Sequence, residues 1–134
     1  GQVTGIIPEF LQALEVGDPG VQELVVVGSM HERKRTMFEQ SDGFLVLPGG
    51  LGTLDETFEI LTWKQLLQHS KPVVILDPVG YWKPFQDLLR SIVEGGFAHG
   101  KIETLYTVAS TVEEAFEQLA NAPEPDEIVL TSHL

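Results

Sequence analysis

Short apolar runs alternate with segments of helical period along this chain. VTGII (3–7), LVVVG (24–28), GFLVL (43–47), PVVILD (72–77) and residues 104–109 read as strands. Runs as continuously apolar as LVVVG and GFLVL predict strands covered on both faces. Between them lie helical segments at 8–14, 31–40, 53 to about 69, 83–94 and 111–121. Pro8 suits the first position of a helix. Gly17, Asp18, Pro19 and Gly20 mark a loop, Pro72 ends the long helix, and Gly95 and Gly96 stop the next one. Strands alternating with helices of ten or more residues predict βαβ units. The expected fold is therefore α/β, a Rossmann-like, doubly wound parallel sheet with helices on both faces. One domain over residues 1–121 is expected, followed by a loosely attached tail, 122–134, with two prolines and no period. The chain opens at Gly1 almost directly on an apolar strand, which predicts that an N-terminal part is missing.

In a parallel sheet ligands bind beyond the carboxyl ends of the strands. That rule selects residues 28–35, 48–56 and 77–84. The second is the most informative. The strand 43–47 runs into PGGLGTLDE (48–56) and then a long helix. Three glycines in four positions permit a tight turn and a close approach to the main chain. The first amides of the following helix lack intrahelical partners and carry the positive end of its dipole. Strand, glycine turn and helix start together make an anion site suited to phosphate. The spacing is neither the full GxGxxG fingerprint nor a P-loop, and a plain tight turn fits the glycines as well. Thr53 and Glu56 also fit a capping box, in which each satisfies an orphan amide, as do Thr111 and Glu114 at the last helix.

Charge sharpens the picture. Acidic residues outnumber basic ones 20 to 8, for a net charge of -12, which argues against a nucleic-acid partner. Three of the eight basic residues are nevertheless consecutive, Arg33, Lys34 and Arg35, just past the second strand. Such a spot in an acidic chain predicts an anion contact. Arg35 has a plainer role, pairing with Glu39 four residues on. Arg33 falls in the predicted first turn, where a cation opposes the helix dipole and needs another reason to be there. With no cysteine, disulfides, thiol catalysis and Cys-ligated zinc are excluded. The four histidines show no metal-ligand spacing, so no metal is expected. No run of 18 apolar residues is present, so no membrane span is expected, and a cytoplasmic location follows most simply. Trp63, Leu66 and Leu67 read as core or subunit contact, and Tyr81 and Trp82 as packing residues, with pocket lining the second reading.

SMHERK (29–34) and PGGLGTLDE (48–56) together closely resemble the Lonely Guy family of phosphoribohydrolases, which release cytokinin bases from riboside 5'-monophosphates. The fixed positions of the family's PGGxGTxxE pattern are all met. Similarity continues through IIPEFL (6–11), LTWKQL (61–66), KPVVIL (71–76) and VEGGF (93–97), up to about residue 120. The "lysine decarboxylase" label often attached to members finds no support in these residues, which show no sign of a pyridoxal phosphate site. The family domain begins with a further βαβ segment carrying a glycine-rich loop, to which nothing here corresponds. The resemblance implies Arg33 and Glu56 as the catalytic pair. Substrate contacts implied are Glu15, Arg33, Lys34, Gly49, Gly50, Leu51, Gly52, Thr53, Leu54, Asp55, Glu56 and Thr62. Glu15 and Thr62 rest on the resemblance alone.

The implied reaction is hydrolysis of the N-glycosidic bond of a nucleoside 5'-monophosphate, without a cofactor, in a homodimer or higher homo-oligomer. Positive charge gathers on the ribose as the bond breaks, so a carboxylate beside it is stabilising mainly in the transition state. Asp55 is a candidate for the acid that protonates the departing base but reads better as a helix-start residue. A non-hydrolytic nucleotide carrier on the same scaffold is the alternative. A dinucleotide-dependent oxidoreductase would require glycines spaced otherwise.

Overall fold

The computed structural model describes residues 1–14 and 20–122. Most of the predicted 15–20 loop and, beyond Ala122, the predicted tail lie outside the described residues. The chain divides into two compact units, Gly1–Ser41 and Asp42–Leu134.

In the first unit β1 (Thr4–Pro8) pairs in parallel with β2 (Glu23–Val27), with Thr4 opposite Glu23 and Pro8 opposite Val27. Pro8 thus closes β1 and is the N-cap of the short α1 (Glu9–Gln12), one position before the first helical residue it is predicted to be. Its fixed φ suits extended backbone as readily. The helix α2 (Met30–Gln40) starts earlier than its charged run suggests. The Ser29 hydroxyl accepts from the Glu32 N–H at 3.1 Å, and the Glu32 carboxylate accepts from the Gly28 N–H at 2.8 Å. Ser29 and Glu32 are therefore a capping pair. β2 departs from the expected double coverage: Val27 is buried, while Leu24 and Val26 are 40% and 41% exposed. Alternate side chains of a strand face opposite ways, so one face of β2 is covered and the other is not.

The second unit holds β3 (Phe44–Val46), β4 (Val73–Leu76) and β5 (Thr107–Ala109), all parallel, with β4 central. Its helices are α3 (Leu51–Gln65), α4 (Lys83–Glu94) and α5 (Val112–Asn121). β4 forms within the predicted strand 72–77, one residue shorter at each end, and is covered on both faces. Val73 and Ile75 join a core with Leu61, Trp82, Phe85, Leu89, Ile102 and Leu105, while Val74 packs on the other side with Ala109 and Ala115. The chain is thus α/β with parallel strands, but its described strands form two ladders, β1–β2 and β3–β4–β5, where one sheet is predicted. An apolar run specifies burial and does not name its neighbour.

Two boundaries moved for local reasons. Residues 100–105 form a 3₁₀ helix that buries Ile102 and Leu105, three apart, so β5 is shorter than predicted. The long helix ends at Gln65 and not near His69. Leu67 adopts φ 60°, its N–H bonds the Lys64 carbonyl, and the Gln68 N–H bonds the Trp63 carbonyl. This is a Schellman end with leucine where glycine is usual. Past it, His69 Nε2 lies 2.8 Å from the Ile60 carbonyl, and His69 Nδ1 accepts from the Lys71 N–H at 3.0 Å. Both bonds fit the neutral Nε2–H tautomer.

Two outcomes follow. Leu67 is largely exposed and sits in left-handed backbone. Leu67→Gly should therefore raise stability by about 0.5–1 kcal/mol after the entropic cost of glycine, read by thermal or urea denaturation. Burial, helped by the nearby Lys64 and Lys71 charges, lowers the His69 pKa despite the Ile60 hydrogen bond. Below the ordinary value near 6.5 the unfolded chain then binds more protons, so stability falls as pH drops through that window. His69→Gln should flatten the stability–pH slope between about pH 7 and 5.

Candidate active site

The site is built where β3 runs out. Val46 lies opposite Ile75 of β4, so the turn after β3 and the turn after β4 emerge side by side at the carboxyl edge. Leu47, Pro48 and Gly49 lead to Gly50, the N-cap of α3, where no side chain caps the helix. The first helical bond runs from the Leu54 N–H to the Gly50 carbonyl at 3.1 Å. The amides of Leu51, Gly52 and Thr53 precede it and have no carbonyl of the helix to bond. α2 and α5, in contrast, start at Ser29 and Thr111, whose hydroxyls accept from Glu32 and Glu114.

This start overturns the capping-box reading of Thr53 and Glu56. The helix begins earlier than predicted, so Thr53 is its third residue and cannot be its N-cap. Glycine at an N-cap leaves no side-chain signal in the sequence. At Thr111 the box reading holds: its hydroxyl accepts from the Glu114 N–H at 3.2 Å, and Glu114 accepts from Ser110 at 3.0 Å. Asp55 is likewise not in the first turn; it lies exposed in the second.

The glycines divide by what surrounds them. A Cβ on Gly49 would run into the Thr53 side chain, with the Thr53 Cβ at 2.9 Å. Gly49 is needed so that Thr53 can fold back over the turn. At Gly50 and Gly52 nothing lies within 4 Å of the Cβ position. Packing does not require glycine at either, and the space is open to a ligand. Leu51 is exposed, Leu54 packs against the core, and Glu56 is half-buried one turn beyond Gly52. Tyr81, from the turn after β4, donates its hydroxyl to the Gly49 carbonyl. Packing and pocket lining are the two sequence-based readings of Tyr81; its hydrogen-bond partner is a main-chain oxygen, which a residue pattern does not announce.

The remaining predicted residues fall as follows. Thr62 is exposed, its hydroxyl bonded to the Phe58 carbonyl at 2.6 Å, and it sits about 120° around α3 from Glu56. Arg33 belongs to the first unit and is half-buried. Its Nε donates to the Ile6 carbonyl of β1 at 2.9 Å. That bond supplies a reason for a cation near a helix start. Lys34 is half-buried on α2. Arg35 pairs with Glu39 at 3.0 Å on the exposed face, as predicted. Glu15 lies outside the described residues. Among the described residues, no helix is long and apolar enough to cross a membrane.

A parallel α/β scaffold carrying a glycine turn into a helix start has the geometry of an anion-binding loop, with a carboxylate one helical turn later. The family described as "possible lysine decarboxylase" matches residues 1–119, and the chain belongs to it, within its Lonely Guy group. The chain is 38% identical over 128 residues to a probable cytokinin riboside 5'-monophosphate phosphoribohydrolase of Oryza sativa subsp. japonica, covering 95% of the chain and 52% of the relative. A cytokinin riboside 5'-monophosphate phosphoribohydrolase of Arabidopsis thaliana is 38% identical over 94% of the chain and 58% of its own length. One of Rhodococcoides fascians is 40% identical over 86% of the chain and 59% of its own length. The chain thus spans between half and three fifths of these relatives.

The glycine environments make a paired prediction. Gly49→Ala should destabilise by about 1–3 kcal/mol, because the methyl meets the Thr53 side chain. Gly52→Ala should be neutral or stabilising by up to about 1 kcal/mol, since its methyl meets only open space. Parallel denaturation curves check both.

Proposed function

We propose that the protein hydrolyses the N-glycosidic bond of a nucleoside 5'-monophosphate to a free base and ribose 5-phosphate. The observation that carries the proposal is the α3 start: amides without helical partners, beside open space at Gly50 and Gly52, one turn before a half-buried Glu56. The relatives' names, each a cytokinin riboside 5'-monophosphate phosphoribohydrolase, support the same substrate class.

The 5'-phosphate rests on the main-chain N–H groups from Gly50 to Thr53, favoured by the helix dipole. That contact is remote from the bond being broken, and its binding energy holds the ribose in place for reaction. The base departs with the bonding electron pair and takes up a proton. Water adds to C1' and loses one. Glu56 stabilises the oxocarbenium-like ribose and accepts the water's proton, the role carboxylates fill in O-glycoside hydrolysis. Arg33 is kept as the second catalytic residue on the strength of the family pattern, with Lys34 as its basic companion. The substrate contacts Glu15 and Thr62 are proposed on the same ground.

Glu56→Gln keeps the shape of the side chain and removes its charge and basicity. With the fold verified by circular dichroism, it should lower ribose 5-phosphate release from AMP or isopentenyl-AMP by about 10²-fold or more. Arg33→Ala should abolish turnover, and Arg35→Ala should change it only a few fold. If Glu56→Gln keeps activity within a few fold, or if AMP is bound and released intact, the hydrolase assignment fails.

A further inference from the structure

The phosphate cradle proposed above depends on which way one peptide unit faces. In a trans peptide the C=O of one residue and the N–H of the next point in opposite directions. The unit between Gly49 and Gly50 is therefore decisive: its oxygen and the first amide available to a ligand are set together. Flanked by two glycines, it lacks the Cβ clashes that hold most peptide units in one orientation. The Tyr81 hydroxyl donates to the Gly49 oxygen. With that oxygen held, the Gly50 N–H faces the other way, and nothing lies within 4 Å of the Cβ position of the same residue.

Tyr81 is itself firmly placed. Gly80 turns the chain with φ 80°, and the Lys83 N–H closes the turn on the Gly80 carbonyl at 3.3 Å. The Tyr81 ring packs edge-on against Trp82, centroids 5.1 Å apart. Trp82 is 2% exposed and packs edge-on against Phe85 at 5.7 Å, inside the main core. At the base of the same turn, the Asp77 N–H bonds the Ala109 carbonyl of β5 at 2.8 Å. A line of contacts thus runs from the core through Trp82 and the half-exposed Tyr81 to the Gly49 oxygen.

We infer that Tyr81 is a positioning residue for phosphate recognition: it fixes the Gly49–Gly50 peptide so that the Gly50 N–H presents to the phosphoryl group. The inference rests on the nucleotide reading of the site and adds to it a residue from the neighbouring turn. Tyr81 does not touch the reacting bond, so its contribution goes to substrates that carry the 5'-phosphate and not to the chemistry at C1'.

The test is Tyr81→Phe, which keeps the ring on Trp82 and removes only the hydroxyl. Isotope-labelled protein is titrated with inorganic phosphate and with ribose 5-phosphate, following the Gly49 carbonyl and the Gly50 and Gly52 amides by NMR. In the unaltered protein both ligands should shift the Gly50 and Gly52 amides. The variant should bind both about threefold to tenfold more weakly, with the Gly49 carbonyl and Gly50 amide already displaced before ligand is added and the Gly52 amide unmoved. In turnover, the KM for AMP should rise by a similar factor while kcat stays within about twofold. A residue that merely stabilises the fold would lower the melting temperature and leave this split absent. Unchanged phosphate affinity in the variant overturns the inference, as does a phosphate titration that leaves the Gly50 amide unmoved in the unaltered protein. Base release from AMP tests the hydrolytic reaction separately, so loss of one result does not carry the other with it.

Discussion

A helix that begins on glycine has no cap side chain to bond its first amides. Most of what is distinctive in this molecule follows from that constraint at α3. α2 and α5 answer the same requirement from within, through Ser29 with Glu32 and Thr111 with Glu114. At α3 the cap is Gly50, which has no side chain to make such a bond. Within one chain, the α2 and α5 starts are closed by side-chain hydrogen bonds, whereas α3 at Gly50, like α4 at Trp82, has no bond from a cap side chain. The parallel pairing of β3 with β4 then brings the 77–82 turn against the same edge, so the second unit builds the loop and its support together.

Packing and function divide the glycine motif between them. Gly49 is dictated by Thr53, which folds back over it; Gly50 and Gly52 face open space and are free of any packing demand. Two glycines kept where packing would tolerate a larger residue suit a backbone that a ligand must approach closely. The half-buried Glu56, one turn on, adds an acidic group in a place where an anion-binding loop would not by itself favour one. The proposed role of Glu56 accounts for that tension, since a carboxylate there meets positive charge that develops only as a bond breaks.

The sequence made the second unit legible where local and tertiary signals agree. The β4 run is apolar throughout and is buried on both faces. In α4, Phe85 and Leu89 lie one turn apart and reach the core together, with the predicted bounds. Thr111 caps α5 as its spacing indicates. Signals failed where the physical cause carries no side-chain mark. The start of α3 rests on a glycine cap, and its end rests on a leucine in left-handed backbone, which no propensity favours. The Ser29–Glu32 pair was written in the sequence but was masked by the charged run behind it. The 3₁₀ helix at 100–105 buries every third residue, a short period easily taken for the lead-in to a strand. Of the site, the glycine loop and Glu56 were readable from motif and resemblance, and Arg35 from its spacing to Glu39. Tyr81 was not, because it acts on a main-chain oxygen 32 residues away.

The account comes down to where the phosphoryl group of a nucleotide rests. A crystal structure of the protein with AMP bound measures this most directly. The account predicts phosphoryl oxygens within hydrogen-bond distance of the Gly50, Gly52 and Thr53 amides, the Gly49 carbonyl still held by Tyr81, and the Glu56 carboxylate facing C1' of the ribose. A nucleotide seated elsewhere, with the α3 amides facing solvent and Glu56 turned away from the sugar, would contradict it.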